Sequence, residues 1–441
     1  MAQSHPDISL PNAPAPAHNP YAAWQYRDFK LFAAGWIVSL IGQQMQTAAI
    51  GYEIFSRTHR PISLGWMGLI LSMPVLFLAL PAGHLADRFD RRKIVLTAQL
   101  IAALASVALA VISFYHWDYR WMYLPPLITN VGFTFSRAAR QAMLPSLVPA
   151  KDFPNAVTWN SSLFETSSML GPAIGGMVIA RSFAHWQSAW VVYALTVVGQ
   201  MVYFFFLLGV RSRTIAGEGR NAPATLQGLI AGVRFVWRTK IILATMTLDL
   251  FGVLLGGATY LLPVFQEILK VGPVGYGWLR AAPAAGAFTM AMTLAHLPPM
   301  KRAGRAMLLA FIGFGLVTIV FGISGNFWLS MAMLFLAGVF DNVSVVVRHT
   351  LIQLKTPDGM RGRVSAVNGV FIGASNELGG FESGLTAQWW GAVGSVVIGG
   401  LGTLGVVAAV AAIWPQIRRF GALNEAKVDV ESNPLPVISG L

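Results

Sequence analysis

The chain has 441 residues, of which 55% are hydrophobic and only 11% charged. Soluble domains carry about 25% charged residues and a membrane-crossing helix uses roughly 20 apolar ones, so a soluble enzyme is excluded and about a dozen spans are called for. The 31 Lys and Arg against 18 Asp and Glu give a net charge of +13, which in a membrane chain records cations on cytoplasmic loops and needs no nucleic-acid partner. The absence of cysteine removes disulfides, thiolate nucleophiles and cysteine-ligated metals. No cofactor or metal is expected.

Residues 1–26, rich in Pro, Ala and Asn, lack both a basic start and an apolar run, so they read as a disordered cytoplasmic tail and not as a signal peptide. Apolar windows then place spans near residues 29–54, 63–86, 94–116, 119–146, 155–182 and 187–210, within an N-terminal six-helix bundle of 27–210. A cytoplasmic linker, 211–240, ends in a stretch with Leu226, Leu229, Ile230, Val233 and Val236 or Trp237 at helical spacing, the pattern of an amphipathic helix on the membrane surface. A second set of spans near 241–268, 274–297, 305–324, 326–354, 363–388 and 391–415 forms a C-terminal bundle of 241–416, followed by a cytoplasmic tail, 417–441. The expected fold is all-α, with twelve transmembrane helices in two pseudo-symmetric six-helix bundles. With both termini inside, only Arg57, Arg60, Arg120, Arg181 and Lys270 fall on outward loops and Arg137, Arg140, Arg280 and Arg348 within spans. All other Lys and Arg lie on the cytoplasmic side, the asymmetry that sets orientation.

Shifting the chain on itself by 208 residues, the interval from Arg140 to Arg348, pairs those arginines and aligns Pro149 with Pro357, Asn160 with Asn368, Gly171 with Gly379 and Gly176 with Gly384. A parallel repeat of this kind places a substrate site between two halves near the bilayer midplane.

The loop after the second span reads Gly83-His84-Leu85-Ala86-Asp87-Arg88-Phe89-Asp90-Arg91-Arg92-Lys93. It resembles the Gly-x-Leu-Ala-Asp-Arg-x-Gly-Arg-Lys loop signature of the major facilitator superfamily, with Asp90 in place of the second glycine. Gly83 would permit close helix contact, Asp87 would cap or pair at a helix end, and the cationic cluster of Arg88, Arg91 and Arg92 would anchor to lipid phosphates. In the fifth span, Gly171-Pro172-Ala173-Ile174-Gly175-Gly176 is similar to the Gly-Pro-x-x-Gly-Gly signature of exporters in that superfamily, a bend that packs tightly on the outward side. The stretches Arg140 to Pro149, Arg348 to Asn368 and Glu377 to Gly384 resemble the branch that contains enterobactin exporters and drug:proton antiporters. The resemblance runs from about residue 25 to 415. It implies a monomeric proton-coupled exporter of the inner, cytoplasmic membrane that moves a small molecule, either a siderophore or an amphipathic drug-like compound, by alternating access. A lysophospholipid or sugar facilitator of the same fold is the alternative. No Gly-x-x-x-x-Gly-Lys-Ser/Thr loop is present, so ATP is not the direct drive.

Ionisable side chains inside spans are functional candidates by default. Asp341, Glu165, Glu377 and Asp249 are the candidates for proton coupling, because a carboxyl in a low-dielectric setting takes up a proton more readily. Asp341 leads, since it shares a strip of the tenth span with Arg348. Glu382 is five residues from Glu377 and off its face. Arg140 and Arg348 are expected to pair across the halves or to hold helix C-termini. The first span offers Gln43, Gln44 and Gln46 and no carboxylate, which moves coupling to other helices. The substrate-cavity candidates are Gln43, Gln46, Trp159, Asn160, Asn368 and Arg348, with Trp36, Tyr260 and Phe371 as further aromatic lining. Asp249 and Asp341 together would make the cavity acidic and favour a cationic or amphipathic substrate, whereas an anionic catecholate would need Arg280, Arg348 or Arg140.

Overall fold

The computed structural model describes residues 19–211, 226–298 and 300–421. Among these no strand occurs. Helices α1 (Arg27–Thr58), α2 (Pro61–Arg88), α3 (Arg91–Phe114), α4 (Leu124–Met143), α5 (Phe153–Trp186) and α6 (Trp190–Gly209) pack on one another, and α7 (Leu226–Arg238) leads into a second set. That set comprises α8 (Lys240–Leu255), α9 (Leu262–Ile268), α10 (Gly272–His296), α11 (Ala303–Ile323), α12 (Phe327–Lys355) and α13 (Asp358–Ile413), closed by the short α14 (Gln416–Arg419).

Local chemistry sets these boundaries. Pro61 starts α2, where a missing N–H is harmless. The Asp90 carboxylate accepts from the Arg92 N–H and caps α3, and Asn326 accepts from the N–H groups of Trp328 and Leu329 at the start of α12. α13 is two helical segments joined at Gly391, whose φ of 75° lies in the left-handed region open to glycine. The expected single span at 241–268 is instead interrupted: α8 ends at Gly256-Gly257, and a tight turn, Ala258–Leu261, precedes α9. The glycine pair followed by Pro263 deprives the helix of propensity at that point.

Eight segments among the described residues are long and apolar enough to cross a membrane. α1, α4 and α10 are not among them; α1 carries Gln43, Gln44, Gln46 and Glu53, and α4 carries Asn130, Arg137 and Arg140. The outer faces of the apolar helices expose Leu104, Phe205, Leu309 and Ile323, a pattern suited to hydrocarbon. Inside, polar groups pair between helices. The Ser106 hydroxyl donates to Gln46 Oε1 at 2.7 Å, the Thr196 hydroxyl to the Gly42 carbonyl at 2.9 Å, and the Thr403 hydroxyl to the Gly252 carbonyl at 3.0 Å.

Two seams join the sets, α5 against α10 and α2 against α13. A Cβ on Gly176 would stand 2.9 Å from the Gly277 Cα, and one on Gly384 would stand 2.5 Å from the Gly65 Cα. The Tyr276 hydroxyl donates to the Ala48 carbonyl at 3.0 Å, and His59 faces Glu267 at 3.4 Å. Counting the alternation of helices from α1, these contacts lie at the end of the molecule away from Asn19.

Residues 1–18 of the expected tail lie outside the described residues, but 19–26 are packed. The Pro20 carbonyl accepts from Asn155 Nδ2 and Trp159 Nε1, both at 2.9 Å, Ala23 is fully buried, and the Tyr26 hydroxyl donates to Asp152 at 2.6 Å. Residues 19–26 are thus packed where composition suggests a loose tail, because Tyr21 lies tilted against the Trp159 ring and Trp24 meets the same ring edge-on. Of the linker, residues 212–225 lie outside the described residues, as do 422–441 of the C-terminal tail and the side chains of Leu226 and Leu229. In α7, Val236 is buried while Ile230 and Trp237 are exposed. Gly232 rests on the Arg363 carbonyl of α13, so the helix is docked on its own protein along one face.

Candidate functional site

The interruption between α8 and α9 opens one wall of a cavity of about 340 Å³, at the lower end of pockets that hold drug-sized molecules. Tyr260 lies on that wall, Asp341, Asn342 and Arg348 come from α12, Asn376 from α13, and Glu165 from α5. Among the described residues, Glu165 is the sole contribution of α1 to α6 to this lining. Two carboxylates from different helix sets, Asp341 and Glu165, therefore line one cavity.

Asp249 and Arg348 form a buried ion pair joining α8 to α12. Asp249 is thus the counter-charge of an arginine and not a free acid beside Asp341, which corrects the expectation that the two would act together. Arg348 lines the cavity as expected, but neutralised. Its repeat mate Arg140 does neither of the things expected of it. The Arg140 guanidinium lies 3.7 Å over the Trp36 ring and donates to the Ser136 hydroxyl at 2.9 Å; a buried cation without a carboxylate is held by an aromatic face. This covers Trp36, which is 5% exposed and does not line the cavity.

Other expected lining residues are used elsewhere. Gln46 is engaged by Ser106, Trp159 is held under the segment at Pro20, and Gln43, Asn160, Asn368 and Phe371 stand outside the lining. Glu377 accepts from the Tyr260 hydroxyl at 2.7 Å, one bond removed from the cavity. Glu382 lies near Ser383 and Thr386 of its own helix. Among the described residues, no three His, Asp or Glu side chains group as metal ligands.

The motif residues serve packing. Gly171 abuts Gln44 and Gly175 abuts Met45 of α1, while Gly176 and the Pro172 carbonyl meet Gly277 of α10. Arg91 donates to the Ala142 carbonyl at 2.9 Å. Arg92 donates to the carbonyls of Leu207 and Leu208 at 2.9 and 2.6 Å, so these cations cap the C-terminal ends of α4 and α6. Gly83 lies within α2 and Arg88 at its exposed end; the side chain of Asp87 lies outside the described residues.

Sequence reasoning missed Glu53, which lies in α1 and is fully buried, so the first span does contain a carboxylate. Its oxygens accept from the Ser113 hydroxyl at 2.7 and 2.9 Å and from the Tyr193 hydroxyl at 2.9 Å, and Arg57 pairs with it. The signal available was the spacing of Glu53 and Arg57, one helical turn apart.

A family model described as "Transmembrane secretion effector" matches residues 18–436. The enterobactin exporter EntS of Escherichia coli O1:K1 is 25% identical over 391 residues, covering 87% of this chain and 91% of the relative. The enterobactin exporter EntS of Shigella boydii serotype 18 matches to the same extent. Among solved structures, a bacterial homologue of the human lysosomal transporter Spinster superposes with a TM-score of 0.66 at 13% identity, covering 91% of this chain and 98% of that one. A POT family transporter in complex with 5-aminolevulinic acid superposes with a TM-score of 0.70 at 9% identity, covering 89% and 97%.

Proposed function

The chain belongs to the transmembrane secretion effector family of the major facilitator superfamily, a multi-pass membrane transporter and not an enzyme, and from that premise we propose that it is a proton-coupled exporter of a small amphipathic molecule. The observation that carries the reading is the meeting of Asp341 and Glu165, from different helix sets, in one cavity. Protonation at a boundary between two bodies changes how strongly those bodies attract or repel one another, which is what coupling to alternating access requires.

In this reading the twelve spans form two bundles, residues 27–210 and 241–416, both termini face the cytoplasm, and the protein works as a monomer. The seams at Gly176 and Gly384 close the outward side, and substrate enters from the cytoplasm. With Arg348 cancelled by Asp249, the unpaired charges of the lining are carboxylates, which favours a cationic or amphipathic compound over an anionic catecholate of the kind named for the enterobactin relatives.

Inside-out vesicles with an imposed pH gradient test this. The wild-type chain should accumulate a permanently charged lipophilic quaternary ammonium compound, which cannot cross as a neutral base, in response to the gradient, and Asp341→Asn should abolish that response while the protein remains folded. Full gradient-driven activity in the variant would overturn the assignment of coupling to Asp341.

A further inference from the structure

The loop between α2 and α3 does not use all its cations in the same way. Arg91 and Arg92 are engaged by helix-end carbonyls, and the Asp90 carboxylate is taken by the Arg92 N–H. Lys93 is exposed and has no partner among the described residues. It stands at the mouth of a second cavity, a groove of about 640 Å³ between α3 and α4 walled by Phe89, Ile94, Ile101, Ile128, Val131 and Phe135. Gly132 faces Ala98 across the groove floor, where the absence of a side chain brings the two helices together and leaves the depth open. A further crease of about 320 Å³ shares Ile101 and Ile128 and continues to Trp121 and Leu124 at the opposite end of α3. With 24 residues, α3 is about 36 Å long at 1.5 Å per residue, close to the thickness of a bilayer core.

The geometry points to a binding site for an anionic phospholipid, its phosphate against the Lys93 ammonium and an acyl chain in the groove between α3 and α4. The groove is predominantly apolar, with the partly exposed Ile101 and Ile128 on its walls, and its charged groups sit at one end, where the Lys93 ammonium stands beside Asp90, whose carboxylate accepts from the Arg92 N–H. That is the complement of a lipid with a negative head and a hydrocarbon tail. The site is separate from the transport cavity and shares no residue with it.

Native mass spectrometry of the purified full chain tests it, with phosphatidylglycerol and phosphatidylcholine of identical acyl chains titrated into detergent. The wild type should retain one phosphatidylglycerol in preference to phosphatidylcholine by roughly fivefold, the scale of one lysine beside an anionic lipid. Lys93→Glu should erase the preference and Lys93→Arg should keep it. Ile101→Trp, which fills the groove and leaves the ammonium in place, should weaken retention of both lipids. Equal retention of the two lipids by the wild type, an unchanged preference in Lys93→Glu, or undiminished binding in Ile101→Trp would each overturn the site, and thermal melts of the variants separate these outcomes from misfolding.

Discussion

Gly176 of α5 and Gly277 of α10 meet so closely that a Cβ on either would fall 2.9 Å from the other's Cα. The repeat mate of Gly176, Gly384, meets Gly65 of α2 at the other seam, so one internal duplication supplies a glycine to each of the two contacts that join the helix sets.

Leucine in place of Gly176 should therefore wedge its seam apart. Overpacking a close contact costs about 1–3 kcal/mol, enough to move a two-state population by roughly 5- to 150-fold. Because the chain has no cysteine, an Ala48→Cys background gives a clean reporter at the buried Ala48. A membrane-impermeant maleimide should label it slowly alone and much faster with Gly176→Leu added. Equal labelling would show that the seam is not what closes this end.

Asp249 and Arg348 should be far more costly to separate than to remove together. Asp249→Asn leaves a buried guanidinium without its counter-charge, a loss of about 3–5 kcal/mol, whereas Asp249→Asn with Arg348→Met should recover most of it. Thermal unfolding in detergent of the two single variants and the double variant measures the coupling. Additive effects would mean that the pair is not the source of the stability.

Glu53→Gln should lower the melting temperature without changing the pH dependence of transport. The neutral amide cannot satisfy Arg57, Ser113 and Tyr193 together, at a cost of about 1–3 kcal/mol, but the site lies outside the lining of the cavity. Melting curves and vesicle assays on the same preparation check both halves of this expectation.

Trp36→Leu should destabilise the chain through Arg140 and not through the cavity. Removing the aromatic face leaves a buried cation held by Ser136 and the more distant Phe133 ring, 5.0 Å away. Trp36→Phe should retain most of the lost stability, and in an Arg140→Met background Trp36→Leu should cost less than in the wild type, leaving only the loss of packing against Tyr203, as the thermal melts of the combined variant would reveal.

The helical class and the family were legible because periodicity, loop charge and short motifs are local properties. The partners of the intramembrane charges were not. Arg140 and Arg348 align in the repeat, yet one rests on Trp36 of α1 and the other pairs with Asp249 of α8, and only packing brings those residues together. Glu53 lies near the end of its span, and only packing shows that Ser113 and Tyr193 enclose it there. The interrupted span was foreshadowed by Gly256-Gly257 and Pro263, a local signal masked by the apolar residues on either side.

The cancellation of Arg348 by Asp249 has an electrical consequence. The charges left in the cavity lining are then those of Asp341 and Glu165, and in the proposed proton-coupled cycle the number of protons exchanged for each substrate would decide whether the cycle moves charge across the bilayer. Each uncompensated charge carried across is worth about 2.3 kcal/mol per 100 mV. Under that proposal, breaking the Asp249–Arg348 pair would alter how strongly the membrane voltage, as distinct from the pH difference, bears on the cycle.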